Sequence, residues 1–253
     1  MCTWLEITNP SSNHNNAWRL HEDHTGLWMI ESQEWQEWLE GKMKFMWIHG
    51  IPGAGKTVLA SFLIEETKKA CAVRISGDVP NKPVVCVYYY CYFARNQDEA
   101  APFLGWLIGQ LCRQCRLIPS EIDRLYQLLH VPSISQLLSA FEILLEEFEA
   151  VFVVVDAVDE SQSRENLLKV LRDCATDHRF DKVRLLATSR EYYDIETYFS
   201  DISSKVSMSN SAVEKDIGLY VHSALLSNKR FQAWPPTLVT EVENALSTGA
   251  KGM

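Results

Sequence analysis

The sequence lacks the features of membrane-spanning, secreted and nucleic-acid-binding proteins. No apolar run approaches the ~18 residues that a transmembrane helix requires, and residues 1–10 have neither the basic nor the apolar region of a signal peptide. The 24 lysines and arginines are outnumbered by 33 acidic residues, the net charge is -9, and no basic run stands out. Such a chain would repel a phosphate backbone. We therefore expect a cytoplasmic protein with no membrane span that binds no nucleic acid.

The cysteines and histidines lack the spacing of disulfide or metal sites. Seven cysteines, an odd number spread along the chain, favour reduced thiols. Cys112 and Cys115 form a CxxC, but no second such pair or HxxxH completes a zinc site, and both lie on an apolar stripe of helical spacing. His14, His21 and His24 match no common metal-site spacing. We expect the two cysteines to pack in the core and the three histidines to lie in solvent on a helix.

Motifs of several nucleotide-dependent protein classes are also missing. The absence of an (N/T)KxD motif disfavours a Ras-like GTPase. No GxGxxG follows a strand, and neither HRD nor DFG occurs. The sequence therefore predicts neither a dinucleotide-binding domain nor a protein kinase.

What the sequence does contain is an alternation of strand and helix patterns. Its composition, 47% hydrophobic and 23% charged, is that of an ordinary globular protein. Stretches with apolar residues at three- and four-residue steps separate the strand candidates. The alternation predicts an α/β fold, a five-stranded and mostly parallel sheet with helices on both faces. The five strands are expected at 45–49, 84–93, 151–155, 183–188 and 205–208.

Helix and loop signals divide the chain further. Ser133 and Gln136 form a capping box that opens a helix whose apolar stripe extends to Phe148. Residues 70–83 have the glycine and prolines of a loop. After the fifth strand the pattern is helical, with a second helix after Pro236, so the fold ends in a C-terminal helical extension. The predicted parts are a helical lead-in at 1–41, an α/β core at 42–210 and the truncated start of a helical subdomain at 211–253.

The strongest signal is a phosphate-binding loop between the first strand and the following helix. Residues 50–57 read GIPGAGKT, a full GxxxxGK(S/T) in its expected strand-loop-helix context. Glycines let backbone N–H groups approach an anion, and the helix directs its positive end to the same point. Lys56 would neutralise the β- and γ-phosphates, and the Thr57 hydroxyl would ligate Mg²⁺. The predicted nucleotide-binding residues here are Gly50, Ile51, Pro52, Gly53, Ala54, Gly55, Lys56, Thr57 and Val58.

A second element follows the predicted central strand. Four valines and a phenylalanine run into Asp156, which at the end of a buried strand beside the phosphate loop can hold Mg²⁺. Asp159 and Glu160 lie just beyond, where a carboxylate can polarise an attacking water, and they are the predicted catalytic residues. These two acids would also complement the dipole of a helix expected from Ser163 onward, and this alternative stays open.

A third element is Arg190, in the TSR sequence at the end of the fourth strand. In P-loop folds this strand lies beside the phosphate-loop strand, so a guanidinium here can reach the γ-phosphate and distinguish a triphosphate from a diphosphate. An ion pair with Glu191 or Asp194 is the alternative role.

Together these sequences resemble the NACHT class of signal-transduction P-loop NTPases. GIPGAGKT, VVVDAVDES and LLATSR carry the resemblance, with small Ala157 after the metal-binding aspartate and two acids further on. The flanking stretches at 13–41, 88–93 and 216–221 resemble the NACHT modules of fungal NOD-like proteins, described as nephrocystin-3-like N-terminal domains. The resemblance covers nearly the whole chain and implies the P-loop NTPase fold.

The resemblance also implies a nucleotide-controlled switch. Such a module rests with ADP, exchanges it for ATP with Mg²⁺, hydrolyses ATP slowly and self-associates when activated, in self/non-self recognition or cell death. The family places an effector domain before the module and repeat domains after it, so we expect a fragment or an isolated module. In that family the region matching 25–29 packs near the base, which makes Trp28 a candidate base or ribose neighbour. ATP is expected, and the sequence leaves GTP open.

Two other functions remain compatible with the motifs. An interaction scaffold would hold nucleotide for stability without turnover. A small-molecule kinase would use the same loop with an acceptor site, but no arginine-rich lid is visible between Pro119 and Pro132. A slow NTPase is therefore the favoured interpretation, ahead of the scaffold.

Overall fold

A single parallel sheet organises the chain. The computed structural model describes residues 8–75, 82–115, 117–127, 131–231 and 233–249. Its strands are β1 Phe45–His49, β2 Val84–Tyr90, β3 Ala150–Asp156, β4 Val183–Ser189 and β5 Ser204–Ser207. Their order in the sheet is β2-β3-β4-β1-β5, and every neighbouring pair is parallel. The predicted sheet is confirmed, and β1 lies beside β4.

Helices cover both faces of this sheet. In chain order they are α1 Ser11–Arg19, α2 Leu27–Ile30, α3 Gln33–Glu40, α4 Lys56–Ile75, α5 Ala100–Cys112, α6 Ser120–Gln127, α7 Ile134–Leu145, α8 Glu165–Thr176, α9 Tyr193–Phe199, α10 Ser211–Ser227 and α11 Pro236–Gly249. Successive strand residues point to opposite faces. In β3, Val153 packs in the core with α5, α7 and α8, whereas Val154 packs in the core with α3 and α4. Burial on both faces explains why β3 is apolar throughout.

Two predicted boundaries around β2 are wrong. The strand ends at Tyr90 and not at Phe93, because Tyr90 pairs with the last residue of β3 and the ladder has no partner strand beyond it. The chain then turns into a short 3-10 helix at Phe93–Arg95. The loop expected from residue 70 begins later, because α4 continues to Ile75 and buries Cys71 in the core. Residues 76–81 of that predicted loop lie outside the described residues, and residues 82–83 lead into β2 without regular structure.

Boundaries in the second half of the chain also shift. The predicted capping box opens α7, but this helix ends at Leu145, and Phe148 is buried in the turn that follows. Helix α8 begins at Glu165 and not at Ser163, whose φ of +53° is left-handed and incompatible with a right-handed helix. The fifth strand is one residue earlier than expected. Helices α10 and α11 form as predicted and pack against each other.

The expectation of solvent-exposed histidines is wrong for two of the three. His14 is only 5% exposed, with Nε2 2.9 Å from Glu65 Oε1 and Nδ1 3.1 Å from the Tyr90 hydroxyl. His21 stacks on Phe62 of α4. The local pattern could not reveal this burial, because it arises where the lead-in segment packs on α4. His24 is exposed as expected, but neither His21 nor His24 lies on a helix, because α1 ends at Arg19 and His24 has a left-handed φ of +69°.

The cysteine pair behaves as predicted. Cys112 is buried in the core cluster, and partly buried Cys115 packs against it. Across the described ranges, no three His, Cys, Asp or Glu side chains form a cluster that could hold a metal ion. In those same ranges, no helix is long and apolar enough to cross a membrane. Cys2 lies outside the described residues.

Candidate functional site

The phosphate loop lies between the end of β1 and the start of α4. Gly53 and Gly55 have φ angles of +81° and +82°, which residues with a side chain rarely adopt. Gly50 is required for packing, because a Cβ there would lie 2.7 Å from the Cβ of Met208. Helix α4 begins at Lys56, so the N–H groups of its first turn have no acceptor within the helix. The loop therefore has the glycine geometry and the helix N-terminus that bind an anion.

The Lys56 side chain folds back over this loop. Its Nζ donates to the carbonyl oxygens of Gly50, at 2.7 Å, and Ile51, at 2.8 Å. Partial burial lowers the pKa of Lys56, and the nearby carboxylates of Asp159 and Asp156 act against that shift. These two carbonyl oxygens accept from two of the three ammonium donors without neutralising the charge, so this ammonium fits an anionic ligand at the loop.

Asp156 ends β3 with its carboxylate buried beside the loop, at 2% exposure. Thr188 Oγ1 donates to Asp156 Oδ1 at 2.6 Å and itself accepts from Ala157 N at 3.0 Å. Burial raises the pKa of Asp156 to about 6, although hydrogen bonds from Thr188 and Thr57 act against the rise. A buried carboxylate and an adjacent hydroxyl are oxygen ligands of the kind that Mg²⁺ prefers, and a cation would relieve the burial of this charge. The donor set therefore fits Mg²⁺.

Asp159 pairs with Arg190. The backbone N–H of Arg190 donates to Asp159 Oδ1 at 3.0 Å, and its guanidinium Nε lies 3.3 Å from Oδ2. The Asp159 side chain is only 6% exposed, whereas that of Arg190 is 41% exposed. The alternative partners expected from sequence, Glu191 and Asp194, pair instead with a histidine and another arginine. The Arg190 guanidinium also donates to the Tyr192 hydroxyl at 3.2 Å, so it has two side-chain partners but stays partly open to solvent just after β4.

Glu160 differs from Asp159 in its surroundings. Both lie in a short 3-10 helix, Val158–Glu160, which follows a left-handed Ala157 at φ +56°. Glu160 Oε2 accepts from Phe93 N at 3.2 Å, and partial burial raises the pKa of this carboxyl. Since α8 begins only at Glu165, neither acid belongs to the first turn of that helix. The alternative role as a helix N-terminal cluster is therefore wrong.

Three adjoining cavities meet at these residues. The phosphate chamber, of about 280 Å³, is bounded by residues 52–58, Asp156, Asp159, Glu160, Thr188 and Arg190. The nucleoside chamber, as we call a mainly apolar cavity of about 700 Å³, shares residues 53–55 and Val58 with it and is also lined by Trp28 and α10. An open cleft of about 1150 Å³, lined by polar and aromatic residues, shares Asp159, Glu160 and Arg190 on another side. The structure therefore brings residues 52–58, the three acids and Arg190 to one chamber and places Trp28 in the next, whereas the predicted Gly50 and Ile51 do not line either cavity.

Two residues of this site, Thr188 and Asp216, were not predicted as site residues from the sequence. Thr188 bridges Asp156 and Ala157, and the sequence signal for it was its place at the start of the TSR sequence, two residues before Arg190. Asp216 accepts from both Gly26 N and Trp28 Nε1. No local pattern marks Asp216 for that contact, because its partners lie at the opposite end of the sequence.

Comparison with known families settles the class of the chain. The family model described as nephrocystin 3, N-terminal, matches residues 24–190. The chain belongs to this family. The resemblance to NACHT modules is confirmed also by the vegetative incompatibility protein HET-E-1 of Podospora anserina, which is 23% identical over 241 residues. That match covers 89% of this chain but 17% of HET-E-1, so the chain spans about a sixth of its relative.

Solved structures agree on the fold. The Aeropyrum pernix ORC1 protein, in a complex with DNA, matches with a TM-score of 0.50 and 13% identity, over 76% of this chain and 48% of that one. Drosophila ORC bound to DNA matches with a TM-score of 0.51 and 16% identity, over 96% of this chain and 60% of that one. At such identities the likeness concerns the fold alone. The P-loop NTPase fold is confirmed, a class that in general binds nucleotide with Mg²⁺.

Proposed function

We propose that this chain is the nucleotide-binding regulatory NTPase module of a fungal NOD-like signalling protein, a cytoplasmic switch between ADP and ATP with slow hydrolysis. The observation that carries the proposal is the phosphate chamber, where Lys56, Asp156 and the Asp159–Arg190 pair meet at the ends of three strands. The similarity to HET-E-1 supports a role in self/non-self recognition or cell death. Self-association and linkage to effector and repeat domains belong to the same proposal.

The chamber suggests a role for each group. Lys56 and the loop N–H groups would bind the phosphates, and Thr57 with Asp156 would hold Mg²⁺, which neutralises triphosphate charge. Glu160 is the better candidate to polarise the attacking water, because within the described ranges no guanidinium forms an ion pair with its carboxylate, and its pKa is raised. Asp159 would hold Arg190 toward the γ-phosphate.

The nucleoside would occupy the apolar chamber beside the loop. Its volume of about 700 Å³ accommodates a base and ribose, and Trp28 lines it. We expect ATP and ADP to be preferred to the guanine nucleotides. This proposal includes a division of the chain into a lead-in at 1–41, an NTPase core at 42–210 and the start of a helical subdomain at 211–253. Residues from all three parts line the nucleoside chamber.

Thermal unfolding tests nucleotide binding. The chain is melted with Mg²⁺ and each of ADP, ATP, GDP and GTP, and the series is repeated on Lys56→Ala. A ligand at 100 times its Kd adds about 2.7 kcal/mol if it binds only the folded state. The matched control is Lys69→Ala, which removes an exposed lysine from the same helix. A shift with adenine nucleotides that only Lys56→Ala abolishes supports the proposal, and folded protein that no nucleotide stabilises contradicts it.

Phosphate release separates the switch from the scaffold. Glu160→Gln and Asp159→Asn should both abolish hydrolysis while nucleotide still raises the melting temperature. A wild-type chain that binds ATP tightly but releases no phosphate would favour a scaffold that holds nucleotide without turnover.

A further inference from the structure

Asp216 connects the C-terminal helices to the lead-in segment across the nucleoside chamber. It lies in the second turn of α10, and its Oδ2 accepts from Gly26 N at 2.7 Å and from Trp28 Nε1 at 3.1 Å. All three residues line the chamber. One carboxylate oxygen thus joins two segments that are nearly two hundred residues apart in sequence.

The turn that Asp216 holds has an unusual conformation. Gly26 has φ +77° and precedes α2, and no side chain within the turn caps this helix. A Cβ on Gly26 would lie 2.9 Å from Cδ1 of Phe62, so the backbone is pressed against α4. The Gly26 N–H points to Asp216, and this bond fixes the direction from which α2 starts.

Trp28 depends on the same carboxylate. A partly buried indole N–H needs an acceptor, and the acceptor here is Asp216 Oδ2. The bond fixes the rotation of the indole, and with it the face that Trp28 presents along the chamber. On the other side of the turn, His21 stacks on Phe62 and its Nε2 lies 3.1 Å from the carbonyl oxygen of Thr25. His21 thus contacts the turn at the Thr25 carbonyl, and Asp216 holds it at the Gly26 N–H.

We propose that Asp216 is a positioning residue for nucleoside recognition, which holds Trp28 and the Gly26 turn as one wall of the nucleoside chamber. This inference rests on the proposed function, because it assigns a role within the nucleotide site. Asp216 should therefore affect binding of the base and ribose but not binding of the phosphates, because it lines the nucleoside chamber and does not line the phosphate chamber.

The two parts of a nucleotide allow a direct test. Binding of ADP and of inorganic tripolyphosphate, each with Mg²⁺, is measured calorimetrically on the wild-type chain, Asp216→Ala and Asp216→Asn. Asp216→Ala should weaken ADP binding about tenfold or more, because charge-assisted hydrogen bonds to two groups are lost, and change tripolyphosphate binding less than about twofold. Asp216→Asn keeps an acceptor oxygen and should recover much of the ADP affinity. Glu214→Ala, which removes an exposed acid from the same helix, is the matched control and should change neither affinity.

A second variant guards against loss of folding. Trp28→Phe keeps an aromatic ring but removes the N–H that Asp216 accepts, so it should weaken ADP binding several-fold without affecting tripolyphosphate. In the Asp216→Ala background the effect of Trp28→Phe should shrink, because the two residues act through one hydrogen bond.

The outcomes separate the two proposals. ADP binding that is unchanged in both Asp216→Ala and Trp28→Phe overturns the positioning role and leaves the proposed function intact. Equal weakening of ADP and tripolyphosphate overturns it too, because the loss would then be a general structural one. A folded wild-type chain that binds neither ligand overturns the proposed function and this inference with it.

Discussion

Replacement of Asp156 by asparagine should stabilise the ligand-free chain at neutral pH while removing its response to Mg²⁺. The carboxylate is buried and its pKa is raised from 3.8 to about 6. Between these values the folded chain keeps a proton that the unfolded chain has released, so the free energy of unfolding falls as pH rises through this window. At neutral pH the wild-type chain therefore carries a buried charge that Asp156→Asn does not.

The size of the effect follows from the pKa. Each pKa unit corresponds to about 1.4 kcal/mol, so the rise from 3.8 to about 6 costs the wild-type fold roughly 3 kcal/mol at neutral pH. Asparagine keeps an oxygen that can accept from Thr188 Oγ1, so the variant loses little of the existing hydrogen bonding. We expect Asp156→Asn to gain about 1 to 3 kcal/mol at about pH 7 and almost nothing near pH 4.

Urea unfolding of both proteins across this range measures the difference directly. Other titrating groups are common to the two chains, so the pH dependence of the difference reports on residue 156 together with the carboxylates coupled to it, Asp159 and Glu160. A gain that is the same near pH 4 and near pH 7 would refute the argument from buried charge. Nucleotide with Mg²⁺ should stabilise the wild-type chain more than the variant, and an equal response would remove Asp156 from the proposed metal site.

Three further substitutions test other parts of the molecule. Thr188→Val removes one of the two hydroxyl partners of the Asp156 carboxylate and the acceptor of the Ala157 N–H, and it should cost about 1 to 3 kcal/mol in urea unfolding; a change below about 0.5 kcal/mol would mean that the bridge contributes little. Gly26→Ala forces a side chain to φ +77° against Phe62, so unfolding should need about 1 to 3 kcal/mol less, and an unchanged midpoint would show that the turn relaxes freely. Burial lowers the pKa of His14 below 6.5, so the unfolded chain takes up the proton first and stability falls as pH drops below that value. His14→Gln should therefore lose less stability than the wild type between about pH 7.5 and 5.5, and parallel losses would contradict a buried neutral imidazole.

The sequence predicted those parts of the site that depend on neighbouring residues. A GxxxxGK(S/T) run needs only the strand before it and the helix after it, and both lie within a few residues of Lys56. Asp156 was predictable because a continuously apolar strand has to be central and its last residue has to face the ligand edge. The order of strands β1 and β4 followed from the fold class.

Contacts between distant segments were not predictable in the same way. The Arg190 guanidinium pairs with Asp159 and not with Glu191 or Asp194, which are closer in sequence, because β3 and β4 end side by side. His14 became buried because α1 packs on α4, which a helical pattern of polar residues did not indicate. The ends of strands were also predicted less reliably, because they depend on the length of a partner strand that is distant in sequence. Tyr90 ends β2 only because its partner strand stops there.

The position of β1 in the sheet has a consequence for how the protein folds during synthesis. Both neighbours of β1 are strands made much later, since Phe45 pairs with Leu185 of β4 and Met46 with Ser204 of β5. While the ribosome makes the intervening residues, β1 has no strand to pair with on either edge. Contacts of such long range make folding slow and leave apolar strands open to aggregation. The nascent chain therefore passes through a vulnerable stage that ends only when β4 and β5 emerge and close the sheet around the strand that carries the phosphate loop.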